Sequence, residues 1–409
     1  MRLKKPLEGI KVVELGAFVA GPYASRLLAE FGAEIIKVES LKGDQLRAWG
    51  PHPPGQDSYW SLVQTRNKQS IAVDLRTIEG QAIVKDVILD ADVLLENFKP
   101  GTLDKWGLSH TELKRMNPKL IITSISGFGQ TGPYRNLPGF GNIAESMGGI
   151  RYLTGYPDRP PVRVGLAIGD SIAALYAVIG TLLSLYHRDA QNGNIGQVVD
   201  VALYEAVFSL LEGIVPEYVH ANQVRERTGN QHVSTAPSNV YLTKDGKYVA
   251  IGANSDSLFA RLASVMGRED LITDPALQDN RGRVKEADRI DALIEEWTSQ
   301  YMLEDVMKLL NDGSIPAGPI YNIEDILADP HYQARDMFVT VADERVGDMV
   351  MPGIVPKLSE TPGEVKWVGP NCGTHTEEVL LQIGYSQEKI NSLRDQGIIK
   401  IETSERLSL

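Results

Sequence analysis

Five short apolar runs alternate with helix-like segments at the start of this chain. They are IKVVEL (10–15), EIIKVE (34–39), SIAVDL (70–75), DVLLENF (92–98) and KLIITSIS (119–126). Each has strand length, is rich in branched residues and is bounded by turn-forming or polar residues. Between the first two, Pro22 opens a helical pattern in which Ala24, Leu27, Leu28 and Phe31 recur at helical spacing, and Gly32 supplies the stop. Strand–helix alternation of this kind predicts a mostly parallel sheet covered by helices, a doubly wound Rossmann-like α/β domain. In such a domain ligands bind beyond the carboxyl ends of the strands.

The remainder sets the domain organisation. Residues 171–187 and 198–219 read as long apolar helices. The texture then changes to the polar NQVRERTGNQH, and NVYLTKDGKYVAIGA predicts a hairpin turning at Asp245–Gly246. Strands are expected in 339–353 and polar helix in 374–396. The expectation is a large α/β domain over 1–221, a smaller α+β domain over 222–328, and a segment 329–409 returning to the large domain. The basic start MRLKKPLEG resembles a signal peptide, but Glu8 and Glu14 interrupt any apolar core, and no window is read as long enough to cross a membrane. A cytoplasmic protein is expected.

Charge and rare residues exclude several functions. With 41 Lys+Arg against 53 Asp+Glu, the net charge of −12 argues against a general nucleic-acid binder. The single cysteine, Cys372, excludes a disulfide framework or a Cys-based zinc site within one chain. No histidine pair has metal-ligand spacing, so no metal is expected. The loop GFGQTG (127–132) fits G-x-G-x-x-G and follows a strand, but PYRNLPGFG comes next and does not open a helix. It is read as a glycine-rich loop presenting backbone N–H groups, and GFGNIA (139–144) as a second, weaker match.

One carboxylate stands out. In VGLAIGDSIAALYAVIG (164–180), Asp170 lies among small and apolar residues. It is expected to cap a helix beginning at Ser171. A carboxylate at a helix N-terminus is favoured in its charged form, and an accessible one can act as a nucleophile. Gly165, Ala167, Gly169, Ser171, Ala173 and Ala174 are read as leaving room for a bulky group beside it.

These pieces, with PLEGIKVVEL…AGP, GDQLRAWGP, NKQSIAVDL, VLLENFKPGTLDKWGL, NPKLIITSISGFGQTGP, RTGNQH…AP, IPAGPI, DPHYQAR and HTEEVL, resemble the family III CoA-transferases over nearly the whole chain. The resemblance implies CoA transfer from an acyl-CoA donor to a carboxylic acid, with Asp170 as nucleophile, through mixed-anhydride and aspartyl-CoA thioester intermediates. It implies no permanently bound cofactor and an interlocked homodimer. It carries CoA contacts onto Phe18, Val19, Ala20, Val73, Arg76, Asn97, Phe98 and Lys105, and a substrate-site position onto Phe140. Ser40 and Pro138 stand where the oxalate-specific members have basic residues, and a long glycine loop of those members is missing between 230 and 250. These departures suggest a different acceptor, a larger acid such as a dicarboxylate. Arg47 and Arg163 are candidate carboxylate or phosphate binders, and His232 is read as structural. The rival from the same fold is a 2-methylacyl-CoA racemase, which needs an acid/base pair across the alpha carbon; Phe140 stands where its histidine would be.

Overall fold

The computed structural model describes residues 3–191 and 193–402, which divide into two compact units. The first comprises the chain to Ile150, Val164–Gly213 and everything from Ala334 onward; the second comprises Arg151–Arg163 and Ile214–Gln333. The division differs from a cut at 221/222. Arg151–Arg163 leaves the first half of the chain for the second unit, and the C-terminal return begins at Ala334.

The first unit is built on a seven-stranded sheet. Its strands β1 (Lys11–Leu15), β2 (Glu34–Glu39), β3 (Lys68–Val73), β4 (Val93–Glu96), β5 (Ile121–Ser126) and β6 (Val198–Ala202) run parallel in the order β3-β2-β1-β4-β5-β6. Residues alternate between faces, as the pleat requires. Val13, Leu15, Ile36, Leu94 and Ile122 join one buried cluster, while Val12, Ile35, Val93, Leu95 and Ile121 join the other. Burial on both faces explains why these strands read as continuous apolar runs. The winding reverses between β1 and β4, so the loops after these strands flank the crevice where doubly wound folds take ligands.

Two apolar stretches differ from their sequence reading. Residues 198–219 are not one helix: the β-branched Val198, Val199 and Val201 form strand β6 against β5, and short helices Leu203–Phe208 and Ile214–Ala221 follow. The helix read as 171–187 runs from Ile168 to Asp189, and by length and composition it could cross a membrane, contrary to expectation. The apolar run counted from Ser171 was short because it left out the first turn. One face of this helix is nevertheless buried in the unit: Ile172, Ala173, Ala174, Ala177 and Leu185 pack with Ala20, Ala24 and Leu28 of helix α1 (Ala20–Glu30). Thr181 also joins its hydroxyl to Thr123 of β5 at 2.7 Å.

The second unit has an antiparallel sheet of β7 (Ser238–Leu242), β8 (Tyr248–Gly252) and β9 (Ala317–Pro319), covered by amphipathic helices whose core includes Phe259, Ile290 and Leu310. The β7–β8 turn lies at Asp245–Gly246, with Gly246 in the left-handed region at φ 75°. In the returning C-terminal segment β10 (Phe338–Asp343) and β11 (Gly347–Pro352) form a hairpin, and helices Thr376–Gln382 and Gln387–Asp395 follow. Strand β12 (Ile399–Lys400) closes the edge of the large sheet antiparallel to β3.

Candidate active site

The loop after β1 is held from three sides. Asn97, just past β4, accepts the Ala17 N–H at 2.8 Å and donates to the Ala17 carbonyl at 2.8 Å. Asp44 accepts the Phe18 N–H at 3.1 Å. Lys37 of β2, 1% exposed, reaches the Gly16 carbonyl, Glu14 and Asp44 at 2.7, 2.7 and 2.9 Å. These bonds hold Phe18 at φ 63°, a left-handed conformation that L side chains rarely adopt. Beneath the loop, Glu14 also binds Lys68 at 2.8 Å and Ser25 at 2.6 Å. Burial works against its charge, but the two ammonium groups outweigh it and keep the Glu14 carboxyl below its usual range.

From this loop an aromatic row extends over the carboxyl edge of the sheet. The Phe18 ring lies 5.3 Å from Trp49 and 6.0 Å from Phe140, and Trp49 lies 5.9 Å from Trp60. Phe140 precedes helix α2 (Gly141–Met147), and that helix meets the first turn of α3 (Ile168–Asp189). Asp170 is the third residue of α3, with Ala167 at the cap, so it sits inside the first turn and does not cap a helix beginning at Ser171. Its carboxylate rests over the Cα of Gly141: a Cβ there would come within 2.0 Å of Asp170 Oδ2. Glu145 of α2, 1% exposed, accepts the Gly169 N–H at 3.4 Å. Asp170 is therefore half-buried at the positive end of a 22-residue helix, against the glycine that follows Phe140.

The small residues around Asp170 have separate uses. Ala173 and Ala174 are fully buried and serve helix packing, so they leave no space for a ligand. Gly169 lets the Gly141 carbonyl approach, while a Cβ on Gly165 would meet nothing within 4 Å.

The other nominated residues fall into distinct groups. Val19, Ala20 and Val73 are buried, Val73 in the core beside β12. Asn97 holds the Ala17 loop through its side chain. Phe98 packs edge-on against Trp106 at 5.2 Å, and Lys105 is exposed at the end of the short helix Thr102–Lys105. Arg76 projects into solvent, paired with Asp74 at 2.7 Å. Arg47 is not available to a substrate. It is 8% exposed, gripped by Glu39 and Asp57, and donates to the Pro370 carbonyl at 3.0 Å. Arg163, on the segment Arg151–Arg163, and the exposed His232, on Ile214–Gln333, both belong to the second unit, and His232 accepts the Ser234 N–H at 3.2 Å.

The glycine loop 127–132 does not offer all its amides outward. Gly129 donates to Ser126 Oγ at 3.0 Å, and Gln130 donates to the Asp200 carboxylate at 3.0 Å. No helix opens on it before Gly141, as the two prolines imply. The sequence reading missed Glu14, Lys37, Asp44, Lys68, Trp49 and Glu145. A signal for the first two was present: opposite charges inside neighbouring apolar strands that pair directly, Glu14 against Lys37. Among the described residues no group of His, Cys, Asp and Glu has a metal-binding arrangement.

The comparisons agree with this architecture. The sequence profile of CoA-transferase family III matches residues 7–376. The chain is 47% identical to a succinyl-CoA--D-citramalate CoA-transferase of Chloroflexus aurantiacus, over 97% of this chain and 99% of that one. It is 33% identical to a formyl-CoA:oxalate CoA-transferase of Streptomyces coelicolor, over 97% and 99%. Among solved structures, a CAIB/BAIF family protein from Brucella suis superposes with a TM-score of 0.84 at 35% identity, covering 93% of this chain and all of that one. The chain belongs to CoA-transferase family III and is an acyl-CoA:carboxylate CoA-transferase.

Proposed function

We propose that this family III enzyme moves coenzyme A from succinyl-CoA to a small dicarboxylic acid, with Asp170 as the covalent nucleophile. An Asp170 oxygen attacks the donor thioester carbonyl, the C–S bond breaks, and a mixed anhydride and CoA thiolate form. The thiolate attacks the aspartyl carbonyl, releasing succinate and leaving aspartyl-CoA thioester. The acceptor carboxylate attacks that thioester to give a second anhydride, and the thiolate then takes the acceptor acyl group and frees Asp170. Each hard acyl transfer is divided into easier steps.

The observation that carries this reading is the seat of Asp170. Its carboxylate lies against a bare Cα, that of Gly141, at the end of α3 where negative charge is favoured. Phe140, in ring contact with Phe18, directly precedes that glycine and supplies apolar surface suited to excluding water from an anhydride. The relative that uses succinyl-CoA and D-citramalate supports a succinyl donor and a branched or hydroxylated dicarboxylate acceptor. The exposed side of α3 supports a homodimer: Leu175, Ile179, Leu182, Leu183 and Tyr186 form one apolar stripe, 41–63% exposed, which a second copy would cover.

The test is to incubate the protein with succinyl-CoA and separate acids (citramalate, malate, glutarate, oxalate, propionate) and follow CoA esters by mass spectrometry. New thioesters of citramalate, malate and glutarate are expected, with oxalate and propionate poorer. Transfer to none of the acids contradicts the reading, and hydrogen exchange at an alpha carbon without transfer revives the racemase.

A further inference from the structure

Phe18 is held in a conformation that its own side chain disfavours. Among the described residues, seven non-glycine positions have positive φ; six are Asn, Asp, Glu or Ser, and Phe18, at 63°, is the one apolar residue. Such strain persists only where the surroundings over-determine it, and it collects where a side chain must be aimed. Here the strain aims a ring. Phe18 meets Trp49 at 5.3 Å and Phe140 at 6.0 Å. Phe140 is 62% exposed and directly precedes Gly141, on whose Cα the Asp170 carboxylate rests.

The restraint traces to one side chain. Asp44 divides its oxygens: Oδ1 accepts the Phe18 N–H at 3.1 Å and the Leu46 N–H at 3.0 Å, and Oδ2 accepts from Lys37 Nζ at 2.9 Å. The Leu46 bond fixes the short helical turn Gln45–Ala48, and Trp49 closes that turn by donating its N–H to the Leu46 carbonyl. Asp44 thus ties down both partners of the Phe18–Trp49 contact. Its own N–H goes to Glu39 Oε2 at 2.8 Å, and Glu39 is held in turn by Arg47. Lys37 has a second anchor in Glu14, which Lys68 binds from the other side. Lys37 also donates to the Gly16 carbonyl at 2.7 Å and Lys68 to the Pro22 carbonyl at 2.8 Å, so the buried ions grip this loop at both ends. Burial works against the charge on Lys37, but Glu14, Asp44 and Glu39 outweigh it, and the group stays an ammonium.

We infer that Asp44 is a positioning residue that keeps water from the anhydride: through the Phe18 N–H and the Gln45–Ala48 turn it sets the Phe18 and Trp49 rings, and through Phe18 it sets Phe140. The inference rests on the Asp170 reaction proposed above. Water that reaches the mixed anhydride breaks an acyl–oxygen bond and leaves two carboxylates, while the CoA thiolate takes up one proton and a second is released. Succinyl-CoA is then hydrolysed instead of passing its coenzyme A to the acceptor.

The test compares full-length Asp44→Ala, Asp44→Asn, Phe18→Ala and the Asp44→Ala/Phe18→Ala double variant with the wild type. Succinyl-CoA is supplied with the acid that the wild type uses best, and free thiol is counted against the new thioester to give hydrolysis per transfer. Asp44→Ala is expected to raise this ratio about tenfold, and Asp44→Asn, which keeps one oxygen for the amides, about threefold. The double variant should go no further than Phe18→Ala, because both changes act through one ring. A protein that is merely destabilised loses active molecules but keeps its ratio. An unchanged ratio in both Asp44 variants, or effects that add in the double variant, overturns the inference. Near-ultraviolet circular dichroism reads the Trp49–Trp60 pair, 5.9 Å apart, without any reaction. It should change in Asp44→Ala as it does in Phe18→Ala, and a wild-type spectrum also overturns the inference. Where Asp44→Ala does not fold, Asp44→Asn carries both readouts. Absence of transfer by the wild type counts against the proposed reaction, and the spectra still decide whether Asp44 sets the rings.

Discussion

At the scale of the residue, the decisive position is Gly141 as much as Asp170. The sequence made the carboxylate conspicuous among apolar neighbours, but nothing local announced that a glycine 29 positions earlier would lie under it. Only the crossing of α2 and α3 brings them together. A methyl group at Gly141 cannot share space with Asp170 Oδ2, so the carboxylate must rotate away or α2 must shift. Gly141→Ala is therefore expected to lower kcat by about 100-fold or more while the protein keeps its fold, since small misplacements of reacting groups have costs of that order. Steady-state kinetics with thermal unfolding as a control checks it; an unchanged kcat would show that the carboxylate works from another position. Arg47 carries the opposite lesson. Its neighbourhood, GDQLRAWGP, gives no hint that Glu39 and Asp57 enclose it, because those contacts depend on strand pairing and loop closure.

At the scale of the element, the five strands of the first third were legible because they are buried on both faces and each holds a run of apolar, mostly branched residues. The sixth was hidden: Val198–Ala202 runs directly into helix-forming residues, and only its pairing with β5 separates it. The charged residues inside the strands are where pattern reading fell short, and they hold the β1 loop. Glu96, at the end of β4, makes a pH prediction. Its folded-state carboxyl titrates near 7 against an ordinary value of 4.5. Between these values the folded chain holds more protons than the unfolded chain, so this group lowers stability as pH rises from 4.5 to 7. Glu96→Gln keeps an acceptor for the Phe98 N–H and removes the charge. It is expected to match the wild type at pH near 4.5 and to exceed it by about 1–3 kcal/mol above pH 7. Urea unfolding of both proteins at each pH measures this, and the difference between them cancels the histidines that titrate nearby. A constant difference across pH would refute the assignment.

At the scale of the whole molecule, the order of short fragments along the chain carried the family, and alternation carried the fold class. The second unit was less legible, because Arg151–Arg163 joins it from within the first half by contacts that no composition shift marks. The apolar pattern of α3 does not tell in sequence which side is core; one face packs inside the unit and the other faces outward. If a second copy covers the outward face, light scattering should give a dimer, and Leu183→Asp should yield monomer or aggregate; a wild-type monomer would contradict this. The central claim, however, concerns one oxygen–carbon bond. The most direct measurement is the intact mass of the protein mixed with succinyl-CoA and no acceptor, followed by peptide mapping. The account predicts an adduct of coenzyme A less one water on the peptide containing Asp170, absent from Asp170→Ala, which also fails to transfer. An Asp170→Ala protein that still transfers coenzyme A at the wild-type rate would contradict it.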